Sequence, residues 1–371
     1  MNSPPDNLQG IKLLVPPLDY SRQSDQISLF LGGEKMWDIQ EATREMIERA
    51  TQLGALIIKD ETGDPEFHRA HLSDERTFAL EGSLRLITDE TEHFFETTGA
   101  HIKQPLRFPY SEFIKRPEID FPLFLASCLE GGEAKYLLEN AEQLEKLKGL
   151  NKDLGDQPLN DFFEFKEFIP TPSNRYTSYR IITSATGEVI AAGLLYSAHT
   201  KGEKKTIQVP SDRTWNNPGD LKTNGLENPT SPFFLNAIDA RSNIQQGGRC
   251  IPLLGGERAR RVTSEEEEIL VAHGIAPFSI EIPEILAEEA ESIGKGIGKF
   301  YGLAVGLDFL QNHDTGEFYF LEANAGPGGQ TFLECWFNGD TSLSAADGQR
   351  ALLGQCFASI ALSRSTERQQ A

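Results

Sequence analysis

The sequence predicts a mixed α/β (α+β) protein: an N-terminal α/β layer, a small α+β unit, and a larger C-terminal unit built on antiparallel sheet. Three observations carry that expectation. A strand–helix–strand order runs through the first 60 residues. Two strands joined by a glycine-bearing turn, then a helix, occupy 121–150. Two further hairpins turn at glycine, around Gly187 and Gly316.

The elements follow in order. Ile11 to Val15 reads as a strand, and Ile39, Ala42, Met46, Ala50 and Leu53 fall at helical spacing before Gly54. Ala55 to Lys59 is the next strand, and Leu84 to Thr98 a helix stopped at Gly99. Phe121 to Ala126 and Tyr136 to Leu138 are strands on either side of the glycine-bearing Glu130 to Lys135, and Ala141 to Leu150 is a charged helix. Phe162 to Ile169 is a strand ended by Pro170 and Pro172. Ser178 to Ser184 and Val189 to Tyr196 form the first hairpin. From His199 to about Pro232 the chain is polar and rich in Asn, Pro, Gly and Lys, which predicts a long loop of the functional or mobile kind. Ser264 to His273 and Pro283 to Tyr301 are helical, Val305 to Leu310 and Glu317 to Leu321 make the second hairpin, and Arg350 to Leu362 is a last helix.

The chain has 371 residues, with 35 Lys and Arg against 56 Asp and Glu, a formal net charge of −21. That balance excludes a general nucleic-acid binder and docking on anionic lipid, since both need surplus cations. A small anionic ligand needs only a local positive pocket or a bound metal, so it stays open. Cys128, Cys250, Cys335 and Cys356 are far apart and form no zinc-type pair. Met1 to Gly10 is polar and no run approaches a membrane span, so a soluble cytoplasmic protein is expected.

The most informative stretch runs from Val305 to Gly329. Asp308 sits inside an apolar strand, where an unpaired carboxylate is costly. Glu322 and Asn324 are two residues apart, so an extended strand points both to one face, and antiparallel pairing brings Asp308 to the same end. Two carboxylates and an amide oxygen make a hard-oxygen set suited to Mg²⁺ shared with phosphate. The alternative is an ordinary acid paired with a basic side chain. Ala325–Gly326–Pro327–Gly328–Gly329 follows directly, a backbone able to approach a ligand closely.

These residues resemble a family. The run from Val305 to Gly329 looks like the C-terminal metal-binding signature of ATP-grasp enzymes. Arg241-Ser-Asn-Ile-Gln-Gln-Gly-Gly248 is similar to a motif of the ribosomal-protein glutamate ligase subgroup. Phe165-Lys-Glu-Phe-Ile-Pro170 looks like the family's adenine-carrying hinge strand, and Tyr179-Arg180-Ile181-Ile182 like the strand after it. Together the three cover about residues 85 to 335 in the family's order.

The resemblance implies an ATP-grasp fold. Residues 1–100 would be an N-terminal α/β region, 101–165 a lid subdomain, 166–340 the C-terminal subdomain with the metal and phosphate site, and 341–371 a terminal helix. It implies ATP and Mg²⁺ (or Mn²⁺) as cofactors and joining of a carboxylate to an amine or thiol through an acylphosphate. Asp308, Glu322 and Asn324 would hold the metal. Glu167, Phe168 and Ile169 would meet the adenine as an edge strand, with Lys166 nearby, and Arg180 and Arg241 would clamp phosphate or acylphosphate, with Asn243 as an added polar ligand. The partners implied are small carboxylate and amine substrates or a peptide, and a homodimer is common among such proteins. Two other readings stay open: a nucleotide-binding regulatory protein of this fold without ligation, and a kinase-type member.

Two positions depart from the family pattern. Ala126 stands where a lid lysine is expected, and Thr88 where a second lysine lies. Lys135 is the nearest replacement cation, with Lys103 and Lys115 as others, while Glu133 brings negative charge into the same loop. The glycine-rich run 294–299 lacks phosphate-loop spacing and falls in a helical pattern, so it is set aside.

Overall fold

The computed structural model describes residues 7–15, 30–31, 34–35, 47–60, 64–80, 91, 93–98, 102–113, 115, 121–127, 135–153, 163–202, 204–209, 233–239, 248–253, 262–324 and 345–370. Within these the architecture is mixed helix and sheet, with two larger antiparallel sheets.

The N-terminal layer is a parallel sheet in the order β4 (Leu56–Lys59), β1 (Lys12–Val15), β5 (Thr77–Ala79). Residues 47–52 are helical before β4, as the apolar spacing predicts. Helix α1 (Pro65–Leu72) connects β4 to β5. Its start is set chemically: Asp64 accepts from the Glu66 amide at 3.0 Å, and Pro65 opens the first turn. A short ribbon of β2 (Phe30–Leu31) and β3 (Glu34–Lys35) lies between β1 and β4 in the chain.

The central sheet has five strands in the order β14 (Arg249–Pro252), β11 (Val189–Thr200), β10 (Arg175–Ser184), β15 (Ala304–Gln311), β16 (Phe318–Asn324). One face carries Tyr179, Ile181, Leu194, Ile251, Leu307, Phe309 and Phe320 into the main core, against helices α4 (Ser264–Ala272) and α5 (Glu284–Tyr301). On the opposite face Ile182, Ala191 and Ala304 pack with the N-terminal layer and with Leu352, Leu353, Cys356, Phe357 and Ile360 of helix α6 (Ala345–Gln370). That helix is longer than the predicted Arg350 to Leu362 at both ends. The sheet is thus covered on both sides at one end, which leaves its polar positions for the other.

The glycine run set aside as a phosphate loop lies within α5 and serves packing. A Cβ on Gly294 would stand 2.4 Å from Thr183 Oγ1, and one on Gly298 would stand 2.8 Å from the Ala185 backbone. Helix and hairpin approach closely because those two side chains are absent. The start of α4 is a capping box: Thr263 accepts from the Glu266 amide at 3.3 Å, and Glu266 accepts from the Thr263 amide at 2.9 Å.

The second antiparallel sheet runs β12 (Lys204–Val209), β13 (Phe233–Asp239), β8 (Lys135–Leu138), β7 (Leu123–Ser127), β9 (Phe163–Glu167), β6 (Arg107–Pro109). Helix α2 (Tyr110–Phe113) follows β6, and helix α3 (Ala141–Asp153) follows β8. Two expectations are corrected here. The polar stretch from His199 contains a strand, because Lys204–Val209 pairs along its whole length with Phe233–Asp239 and so satisfies its backbone in a ladder. Phe163–Glu167 is no edge strand either, since β7 and β6 flank it on both sides. The sheet therefore draws on residues 204–209 and 233–239 as well as on strands between 107 and 167.

A buried polar network joins this core to α4. His273 Nδ1 lies 2.9 Å from both Gln311 Oε1 and the Tyr179 hydroxyl, and its Nε2 is 2.9 Å from Thr177 Oγ1. Gln311 Oε1 only accepts, so Nδ1 carries the proton and Nε2 accepts from the Thr177 hydroxyl. Burial, reinforced by the charge of Lys201 and opposed by the Gln311 bond, pushes the His273 pKa down to about 4.

Candidate active site

Sheet register assembles the polar face of the central sheet. Arg180 on β10 is the direct partner of Asp308 on β15, and Asp308 is the partner of Glu322 on β16. Cross-strand partners share a face, so the three form one row over three strands. On the far side of Arg180 the partner is Gly193 of β11.

One irregularity makes the row possible. Between Asp308 and Phe309 the pairing with β16 shifts by one residue, leaving Leu321 as a bulge. Without it Phe320 and Glu322 would point to the same face. With it, Phe320 pairs with Phe309 in the core while Glu322 pairs with Asp308 on the polar face. The bulged Leu321 carbonyl accepts from the Arg107 guanidinium, which reaches over from β6 of the other sheet.

Both candidate roles at Arg180 and Asp308 meet in one ion pair. Arg180 Nε donates to Asp308 Oδ1, and Arg180 Nη2 donates to Oδ2 at 2.6 Å. The side chains are 13% and 9% exposed, so this pair is largely desolvated. Burial works to lower the Arg180 pKa, but the Asp308 carboxylate, with Glu322 behind it, outweighs burial and raises it. Breaking such a pair from one side costs about 3–5 kcal/mol. Asn324 Nδ2 donates to Asp308 Oδ2 at 3.4 Å and to the Gly306 carbonyl at 3.5 Å, which turns its Oδ1 away from both.

These donors fit a hard divalent cation in kind: two carboxylates and one amide oxygen on one face. Among the described residues no cluster of three or more His, Cys, Asp or Glu forms, so such an ion would also lean on oxygens from its ligand.

The other predicted residues fall as follows. Lys166 pairs with Glu164 at 2.7 Å. Phe168 and Ile169 lie just past the end of β9, and among the described residues no hydrogen-bond partner is seen for their backbone. Glu167 is tied to the neighbouring segment, its amide donating to the Leu106 carbonyl at 2.8 Å and its carboxylate accepting from the Leu106 amide at 3.2 Å. Lys135 on β8 is the direct register partner of Ala126 on β7. By alternation Lys135, Lys166 and Arg107 take positions on one face of the six-stranded sheet. Leu137, on that same face, packs with Tyr176 and Phe168, so the face looks toward residues 168–176. Lys103, a candidate replacement cation, is held by Glu317 at 2.9 Å beside β16. Arg241, Asn243, Thr88 and Glu133 lie outside the described residues. Sequence reasoning did not single out Arg107 or Gly193; neither belongs to a motif, and only strand pairing gives them their neighbours.

No protein-family model matches the chain, and no curated protein matches it. Solved structures similar to it are ATP-grasp ligases. The ATP-grasp ligase PsnB with a minimal precursor is 12% identical, with 93% of this chain and 99% of that one covered and a TM-score of 0.39. The RiPP-associated ATP-grasp ligase of Chryseobacterium gregarium, in complex with ADP and a leader and core peptide, is 13% identical, with 93% and 96% covered and a TM-score of 0.39. D-alanine–D-alanine ligase from Bacillus anthracis, complexed with ATP, is 8% identical, with 94% and 97% covered and a TM-score of 0.41. Among the described residues no helix is long and apolar enough to cross a membrane.

Proposed function

We propose that the chain is an ATP- and Mg²⁺-dependent ligase that joins a carboxylate to an amine through an acylphosphate. The observation that carries this reading is the row of Arg180, Asp308 and Glu322, with Asn324 beside it, in which the three acidic and amide residues lie in the stretch that resembles the ATP-grasp metal signature. Asp308, Glu322 and, with its amide turned over, Asn324 Oδ1 would hold the metal. Bound there, Mg²⁺ would neutralise charge developing on the transferred phosphoryl group. Arg180 offers a planar fork to phosphoryl or acyl oxygens, and Arg241 and Asn243 would add to it. The backbone of Phe168 and Ile169 would pair with the adenine, and Lys135 and Lys166 would face the phosphates from the six-stranded sheet. Closure of that sheet excludes water, without which an acylphosphate is lost to hydrolysis.

The test is phosphate release from ATP with panels of amino acids and short peptides as carboxylate and amine donors, with and without Mg²⁺. Glu322→Gln is the clean variant, because Glu322 ends the row and leaves the Arg180–Asp308 pair in place. Turnover should be Mg²⁺-dependent and fall at least about a hundredfold in the variant. Unchanged turnover would remove the proposed metal site. A chain that binds nucleotide with Mg²⁺ but turns over with no acceptor would instead be a regulatory member, a reading that Ala126 favours.

A further inference from the structure

Asp308 and Arg180 each carry a second obligation under the function proposed above, and the ion pair sets those obligations in competition. A carboxylate has about four lone-pair directions. Arg180 Nε, Arg180 Nη2 and Asn324 Nδ2 take three of Asp308's, two of them on Oδ2. A divalent cation at Asp308 would compete for these positions and would sit beside a guanidinium of like charge. In turn, a guanidinium with its Nε and one Nη2 proton committed to Asp308 keeps only its outer Nη1–Nη2 edge, three of its five N–H donors, for a phosphoryl group, and the carboxylate fixes where that edge can reach.

We infer that Arg180 is a tethered stand-in for the metal. Without metal, its guanidinium neutralises Asp308 and holds the carboxylate in its loaded position, so this largely buried carboxylate is not left as an uncompensated charge. When a divalent cation is bound, Arg180 gives up Asp308 and shifts along the row toward Gly193, the strand partner on its other side, which contributes no side chain. The fork freed in this way meets the anionic oxygens of the substrate. Metal loading and release of the arginine are thus one exchange, and the inner Nε–Nη2 edge is withheld until the metal is in place. The inference rests on the reading that Asp308, Glu322 and Asn324 bind the metal.

The experiment titrates the full chain with Mn²⁺, without nucleotide, and follows free Mn²⁺ by electron paramagnetic resonance. If the competent state is only a minor population in the parent, removing the competitor should raise apparent affinity at least about tenfold in Arg180→Gln. Arg180→Lys keeps the charge but loses the fork, and should fall between the two. Asp308→Asn should abolish binding. Mn²⁺ should also raise the melting temperature of Arg180→Gln more than that of the parent. If Arg180→Gln binds Mn²⁺ no tighter than the parent while Asp308→Asn abolishes binding, the exchange is wrong and the metal site stands. If Asp308→Asn binds like the parent, the metal site itself is wrong and the exchange falls with it. Should Arg180→Gln fail to fold, Arg180→Lys decides: parent-like affinity overturns the exchange.

Discussion

His273 shows how a single side chain links burial to solution behaviour. Both ring nitrogens are committed in the neutral form, Nδ1 toward Gln311 and Nε2 toward Thr177. A second proton would leave the Thr177 hydroxyl facing a donor. The folded pKa of about 4 lies below the unfolded value of 6.5, so the unfolded chain binds the proton first as pH falls. Stability from this residue is complete above about pH 6.5 and is lost between there and about pH 4, at up to about 1.4 kcal/mol per pH unit. Urea denaturation of the parent and His273→Gln across that window should show a shallower acid limb in the variant. Parallel limbs would mean that the network does not keep His273 neutral. At Asp308 the same accounting warns against a simple reading of mutants. Asp308→Asn strands a buried guanidinium, so its loss of turnover should come with a stability loss of about 3–5 kcal/mol, which Glu322→Gln should not share. Equal denaturation midpoints for Asp308→Asn and the parent would contradict the desolvated pair.

At the scale of elements, strand and helix positions were legible where periodicity was strong, and side-chain facing was legible only up to the first irregularity. The hairpin of β15 and β16 follows from its apolar runs and the glycine turn, and so does the convergence of Asp308 with Glu322 and Asn324. The bulge at Leu321 has no signature in Phe-Tyr-Phe-Leu-Glu, because such a run alternates equally well in either phase. The strand Lys204–Val209 was illegible for another reason: it is polar, and its ladder depends on a partner about thirty residues away in sequence. In α5 the glycines looked chemical by composition and turn out to be contact points. Gly298→Ala should place a methyl against the Ala185 backbone, which cannot yield as a flexible side chain would. A helix gains about 1 kcal/mol from that substitution in isolation, yet the clash costs about 1–3 kcal/mol, so the melting temperature should fall. A rise would show that helix and hairpin are less closely apposed.

Across the whole molecule, what the sequence could not supply was neighbourhood between segments distant in the chain. Lys135 was a candidate only by proximity in sequence to the missing lysine at Ala126, whereas strand pairing sets it opposite that position on the next strand. If this substitution across the ladder supplies the phosphate cation, Lys135→Ala should weaken binding of a non-hydrolysable ATP analogue about tenfold or more, as judged by titration calorimetry. Unaltered affinity would assign the cation to another residue. Burial on both faces of the central sheet likewise appears only once the N-terminal layer and α6 are seen to share a core with Ile182 and Ala191.

The bond from Arg107 to the bulged Leu321 carbonyl gives the two sheets a common lever. It is anchored one residue from Glu322, at the place where the ladder of β16 is already interrupted. A displacement of the six-stranded sheet that lengthened this bond would pull on the backbone beside Glu322, and so on the carboxylate that ends the row.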